Sequence, residues 1–119
     1  MNSYTKGRKG EEIARYYLLE NGYEIIANNF KSYKGEIDII AYQKDTVVFV
    51  EVKSWNTLGI ENIEYSINRE KKKRIILTSK YFLHNNPEYS EKRLRYDVIF
   101  LNSSSEKVFH YKNAFMGDF

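Results

Sequence analysis

At 119 residues, with 42% hydrophobic and 16% aromatic residues, the chain is long enough for one core, too short for two ordinary domains, and unlike a disordered segment. It has no cysteine, which excludes a disulfide framework, an iron–sulfur cluster, a thiolate nucleophile and a zinc ribbon. Nineteen Lys and Arg against sixteen Asp and Glu leave a formal charge of +3, a weak excess when taken alone.

Residues 1–9 lack the apolar middle of a signal peptide, and no apolar run reaches the length of a membrane helix, so cytoplasmic residence with no membrane partner is expected. Over 10–21, Ile13, Ala14, Tyr17 and Leu18 recur at helical spacing and Asn21-Gly22 supplies a stop, which predicts a helix. Residues 23–30, 35–42 and 46–53 read as strands, the last two as a hairpin around Gln43-Lys44-Asp45. Turn chemistry at about 55–61 predicts a mobile loop, and the ends, about 1–6 and 116–119, are expected to be flexible. A second helix is expected at about 62–84, with Ile67, Ile75, Thr78 and Phe82 on one face, followed by a loop at Pro87. Strands at 96–101 and 108–111 flank an Asn102-Ser103-Ser104-Ser105 turn. The order α-β-β-β-α-β-β predicts one α/β domain over 1–119 with a central mixed five-stranded sheet flanked by helices.

Charge is distributed unevenly along these elements. Residues 1–34 carry six bases and four acids, 35–68 two bases and six acids, and 69–119 eleven bases and six acids. An acidic middle thus lies between basic flanks, which suits metal held beside a phosphate backbone, although a chance partition of surface charge gives the same numbers.

The hairpin carries the chemistry. If Lys44-Asp45 is the reversal, Gln43 faces Thr46, Ile40 faces Phe49, Asp38 faces Glu51 and Glu36 faces Lys53 on one surface. Ile37 with Val52, Ile39 with Val50 and Ala41 with Val48 then fill the other. Lys-Asp is not a favoured pair for a primed turn, so the parity rests on the binary pattern, because a slip by one residue would mix charges into the apolar face. In this register the Asp38 and Glu51 Cβ atoms lie roughly 4.5–5.5 Å apart. Their oxygens could then converge on one cation of the Mg²⁺ or Mn²⁺ type, while Lys53 reaches a phosphoryl oxygen or the attacking water. The plainer alternative is a Glu36–Lys53 salt bridge on a solvated face.

Gly35-Glu36-Ile37-Asp38 followed by Glu51-Val52-Lys53 resembles the divided motif of the PD-(D/E)XK nuclease superfamily. Gly10-Glu11 with Ala14, Gly22-Tyr23, Phe49-Val50-Glu51-Val52-Lys53, Lys71, Arg95-Tyr96-Asp97-Val98 and Ala114-Phe115 together resemble its YraN-like branch, related to archaeal Holliday-junction resolvases. The likeness covers residues 7–115. It departs from the wider superfamily in having the Gly35-Glu36-Ile37-Asp38 form in place of the naming proline, and Lys71 where many members carry a glutamine.

The resemblance implies a restriction-endonuclease-like fold and Mg²⁺- or Mn²⁺-dependent cleavage of nucleic-acid phosphodiesters, DNA ahead of RNA, with structure-specific substrates in view. By position, Asp38 and Glu51 become metal ligands, Lys53 a charge-stabilising catalytic residue, and Glu11 a third acid for metal or water. Glu12 is the rival of Glu11, and either acid could instead stabilise an early helical turn through the dipole. Lys6, Arg8, Lys9, Lys71, Lys72, Lys73 and Arg74 are candidates for backbone phosphate contact, with snorkelling the alternative for Lys71 and a solvated helix face for its outward neighbours. Glu36 and Asp97 are supporting candidates, Asp97 equally a buried hydrogen-bonded acid. His84 and His110 read as structural or surface residues. Junction cutting would ask for a homodimer. The competing reading is a nucleic-acid-binding or partner-docking module that retains a weak or inactive nuclease site.

Overall fold

The computed structural model describes residues 3–55, 67–102, 105 and 107–115, and the side chains of all of these except 3–8 and 55. Its elements are α1 (Ser3–Glu20), β1 (Glu24–Ser32), β2 (Gly35–Gln43), β3 (Thr46–Trp55), α2 (Arg69–Asn85), β4 (Arg93–Asn102) and β5 (Val108–Phe115). The predicted order is the observed one. The five strands form a single sheet in sequence order, with β3 and β4 parallel and every other neighbouring pair antiparallel. The parallel step needs a crossover, and α2 lies in it. This mixed sheet between helices is compatible with the restriction-endonuclease-like fold. No helix among the described residues is long and apolar enough to cross a membrane.

One core lies on each face of the sheet. Ala14 and Leu18 of α1 are buried against Ile39, Ala41, Val48, Val50, Ile99 and Leu101. Ile75, Ile76 and Phe82 of α2 are buried against Ile40, Val47, Phe49, Tyr96, Val98 and Phe100. Each of the Val, Leu, Ile and Phe side chains among these contributes about 1.5–3 kcal/mol when fully buried. The rings of Phe49 and Tyr96 stack at 5.4 Å, and those of Tyr96 and Phe115 at 5.3 Å, which ties three strands together on the α2 side.

Both helices differ in extent from the periodicity reading. α1 begins at Ser3 rather than residue 10, because a polar first stretch can continue a helix whose later turns are packed; Gly10 marks where packing starts, since a Cβ there would meet Ser54 Oγ at 3.2 Å. The predicted stop holds. Gly22 takes φ +86°, its amide bonds to Leu19 O, and the Tyr23 amide bonds to Leu18 O, the paired closure of a helix end that glycine permits. α2 begins at Arg69, not near residue 62, because Asn68 is its N-cap: the Asn68 side chain accepts from the Lys71 amide at 2.9 Å. Most of the loop expected at 55–61, residues 62–66 of the expected helix, and residues 1, 2 and 116–119 lie outside the described residues.

The sheet also corrects one side-chain assignment. Ile37 joins Ile40 and Phe49 in the α2-side core instead of Ile39 on the α1 side. Period-2 alternation fails between Ile37 and Ile39. On the neighbouring strand, Asn29 lies between the partners of these two residues and adopts φ 53°, so the β1–β2 ribbon changes face at the level of Asp38.

β4 and β5 are both longer than their apolar runs, and the register between them shifts around Asp97.

Candidate active site

The β2–β3 register is the expected one: Gln43 pairs with Thr46, Ala41 with Val48, Ile40 with Phe49 and Ile39 with Val50. Lys44 and Asp45 both take positive φ, 50° and 63°, as a primed two-residue turn requires. The unfavourable sequence is offset from outside the hairpin. Asp45 Oδ1 accepts from Lys92 Nζ at 2.7 Å and its carbonyl accepts from the Arg93 amide at 3.1 Å, so β4 holds the turn.

The ladder pairing ends at Ile39 and Val50, one pair before the acids. There Asp38 turns its carboxylate across the gap, and its Oδ2 accepts from the Val52 amide at 2.8 Å. Glu51, only 6% exposed, places Oε1 2.7 Å from Lys71 Nζ and 4.0 Å from Lys53 Nζ. The site is therefore assembled where β2 and β3 separate, beneath the first turn of α2.

Its electrostatics follow from that crowding. Burial pushes the Asp38 carboxyl up to about 7, and the charges of Glu51 and Glu11 add to the rise while the Val52 amide and Lys71 oppose it. Burial lowers the Lys53 pKa, helped by the Lys71 charge. Lys71 goes the other way: burial lowers it, but its hydrogen bond to Glu51 and the Glu51 charge outweigh burial and raise it. Of the two acids in α1, Glu11 is half-buried and its charge reaches Asp38, whereas Glu12 is exposed.

The structure thus brings Asp38, Glu51, Lys53, Lys71 and Glu11 to one place. Glu36 stands apart from that group: it is exposed and lies opposite Lys31 of β1, because the β2–β3 ladder has already ended and the ribbon has changed face. Lys72 lies 5.9 Å over the Phe115 ring, and Arg74, whose stem lies over Gly35, has its Nε 3.9 Å from Glu70. Arg69 and Lys73 are exposed on the same helix and Lys9 on α1, where Lys6 and Arg8 fall among residues whose side chains are not described.

Asp97 is on the other face of the sheet, away from the Glu51–Lys71 pair. It is fully buried and accepts four hydrogen bonds: from Arg95 Nε at 2.9 Å, Arg95 Nη2 at 3.0 Å, the Asn113 amide at 2.9 Å and His110 Nε2 at 2.6 Å. Although burial raises its pKa, these bonds and the Arg95 charge outweigh burial and hold it low. Because an ionised carboxylate only accepts, His110 Nε2 donates to it, and the other ring nitrogen, Nδ1, shares a hydrogen bond with Tyr17 OH at 3.0 Å. Arg95 in turn donates to Tyr23 OH at 2.7 Å. The His110 side chain is buried in this network, and His84 is exposed. The six-residue network had no sequence signal beyond the buried-acid reading of Asp97.

Among the described residues, no three His, Asp or Glu side chains are gathered as a ready-made metal cluster. Two neighbouring carboxylates still fit a cation of the Mg²⁺ or Mn²⁺ type, which commonly binds through one or two protein carboxylates and completes its shell with water and substrate phosphate. Asp38 and Glu51 would hold it, with Glu11 within electrostatic reach.

Fold and site together define a mixed-sheet α/β protein with paired acids and lysines where two central strands part. Residues 10–101 match the model of the family described as "Uncharacterised protein family UPF0102", and the chain belongs to that family. It is 40% identical over 119 residues to a UPF0102 protein of Persephonella marina, covering all of both chains. It is 40% identical over 114 residues to one of Treponema pallidum, covering 92% of this chain and 90% of the relative. A UPF0102 protein of Natranaerobius thermophilus is 39% identical over 119 residues, covering 97% of this chain and all of the relative.

Proposed function

We propose that this protein is a divalent-metal-dependent endonuclease that hydrolyses nucleic-acid phosphodiesters, with DNA ahead of RNA and branched or flapped structures as the substrates to test first. The observation that carries the reading is the convergence of Asp38 and Glu51 with Lys53 and Lys71 at the end of the β2–β3 ladder, with the Glu11 charge reaching them from α1. A cation held by the two carboxylates would polarise a phosphoryl oxygen and acidify a water. Lys53 offsets the negative charge that grows on the phosphoryl oxygens. Glu11 orients water from the α1 side. Lys9, Lys72 and Arg74, with Lys6 and Arg8, contact the backbone without reading sequence.

The test is a panel of labelled single-stranded, duplex, flap and four-way substrates with Mg²⁺ or Mn²⁺. Cleavage by the wild type, lost in Asp38→Asn and Glu51→Gln with DNA binding retained, is the expected result. Cleavage by either variant at the wild-type rate would remove the assignment.

A second reading, a nucleic-acid-binding module with a weak or inactive site, is favoured by two observations: Glu51 is already engaged by Lys71, and no three acids among the described residues are gathered for a metal. Calorimetry separates the two. Steep salt-dependent DNA binding without Mg²⁺ or Mn²⁺ uptake supports the module.

A further inference from the structure

A buried carboxylate needs a partner, and in this structure the close partner of Glu51 is a side chain able to leave it. Glu51 is 6% exposed, while Lys71, 39% exposed, reaches Oε1 at 2.7 Å from the solvent side. The Lys71 backbone is fixed where its amide bonds to Asn68 Oδ1 at 2.9 Å, and from that base its four-carbon stem can swing. The other close donor of the site, the Val52 amide on Asp38, belongs to a strand and has no such freedom. Lys53, at 4.0 Å from the same Glu51 oxygen, crowds it with a second ammonium. A divalent cation taking up that oxygen would face two ammoniums at close range, and Lys71 is both the nearer and the more exposed of them, 39% against 30% for Lys53.

We propose that Lys71 is the resting counter-ion of Glu51, occupying the place of a divalent cation and passing to a substrate phosphate when the cation arrives. This rests on the nuclease reading above and deepens it. While no metal is present, the ion pair spares Glu51 an uncompensated buried charge. When metal enters, the same pair must break, so the lysine lowers metal affinity. The freed ammonium stays at the mouth of the site, at the N-terminal end of α2, where it adds one phosphate contact. Metal binding and backbone binding are thereby coupled through one side chain.

The experiment compares the wild type with Lys71→Met. In EDTA the variant melts lower by about 5 °C, because Glu51 loses its tight partner. By calorimetry it takes up Mn²⁺ roughly tenfold more tightly, the scale of one charge-assisted bond. With Ca²⁺ present, the logarithmic salt dependence of wild-type duplex binding exceeds that of the variant by about one, as for one phosphate contact. Lys71→Gln, which keeps a hydrogen bond but no charge, shows a smaller gain in Mn²⁺ affinity and serves if the methionine variant does not fold. Equal or weaker Mn²⁺ binding by the variants, with measurable wild-type binding, overturns the counter-ion role and leaves the nuclease reading standing. Absence of Mn²⁺ uptake in all three proteins overturns both.

Discussion

Asp97 and His110 are joined across β4 and β5 by a 2.6 Å hydrogen bond, at the point where the register between those strands shifts. The carboxylate replaces the missing ladder bonds, since it also takes the Asn113 amide, and Asn113 has φ 55°. Removing its charge leaves Arg95 without its carboxylate partner. Asp97→Asn is therefore expected to cost about 2–4 kcal/mol in urea unfolding. Mn²⁺ uptake should be unchanged, because none of the Asp97 bonds involves Asp38 or Glu51, and Glu51 meets Lys71 of α2 on the opposite face. Loss of Mn²⁺ uptake at wild-type stability would instead place Asp97 in the active site.

The metal-free protein should lose stability as pH rises through the window set by Asp38. Its folded pKa is about 7 against an ordinary 3.8, so between these values the folded state holds a proton that the unfolded state has released. Stability then falls with rising pH, by up to about 1.4 kcal/mol per unit, and levels off above about 7. Urea melts of the wild type and Asp38→Asn in EDTA, taken between pH 5 and 8, should diverge in that direction. Saturating Mn²⁺ should flatten the wild-type profile. Parallel profiles in EDTA would mean that the carboxylate is not held in this strained company.

Much of this arrangement was readable before the structure, for a physical reason. Burial on both faces of a central hairpin fixes parity, so the Ile39–Val50 and Ile40–Phe49 pairs follow from which residues are apolar. Lys71 could be placed near the sheet because it shares a helical face with Ile75 and Thr78. What parity cannot supply is where the pleat breaks. The displacement of Ile37 depends on Asn29 in the neighbouring strand, and that of Glu36 on where pairing stops. The partners of Asp97 come from β4 and β5, and His110 among them is held in turn by Tyr17 of α1, so only the assembled sheet brings them together.

Gly22 offers a test of the fold that spares the site. At φ +86° it closes α1, and a Cβ would also meet Gln43 Nε2 at 3.2 Å, disturbing the 2.7 Å bond from that nitrogen to Asn21 O. Gly22→Ala is expected to lose about 1–2 kcal/mol in urea unfolding. Its Mn²⁺ affinity should match the wild type. An unaltered unfolding midpoint would show that the turn tolerates a side chain.

Asn68 links helix stability to the site more directly. Its side chain caps α2 by accepting from the amide of Lys71, the same residue whose ammonium holds Glu51. Asn68→Ala removes that acceptor and should cost about 1 kcal/mol. Fraying of the first turn would also loosen the base from which Lys71 reaches the carboxylate. If the ammonium competes with metal, this variant should bind Mn²⁺ more tightly than the wild type, though less tightly than Lys71→Met. Asn68→Asp, which keeps an acceptor and adds favourable charge at a helix N-terminus, should restore stability and return Mn²⁺ affinity toward the wild-type value. A capping loss of the expected size with no change in Mn²⁺ affinity would show that the Lys71 side chain holds its place without help from the cap.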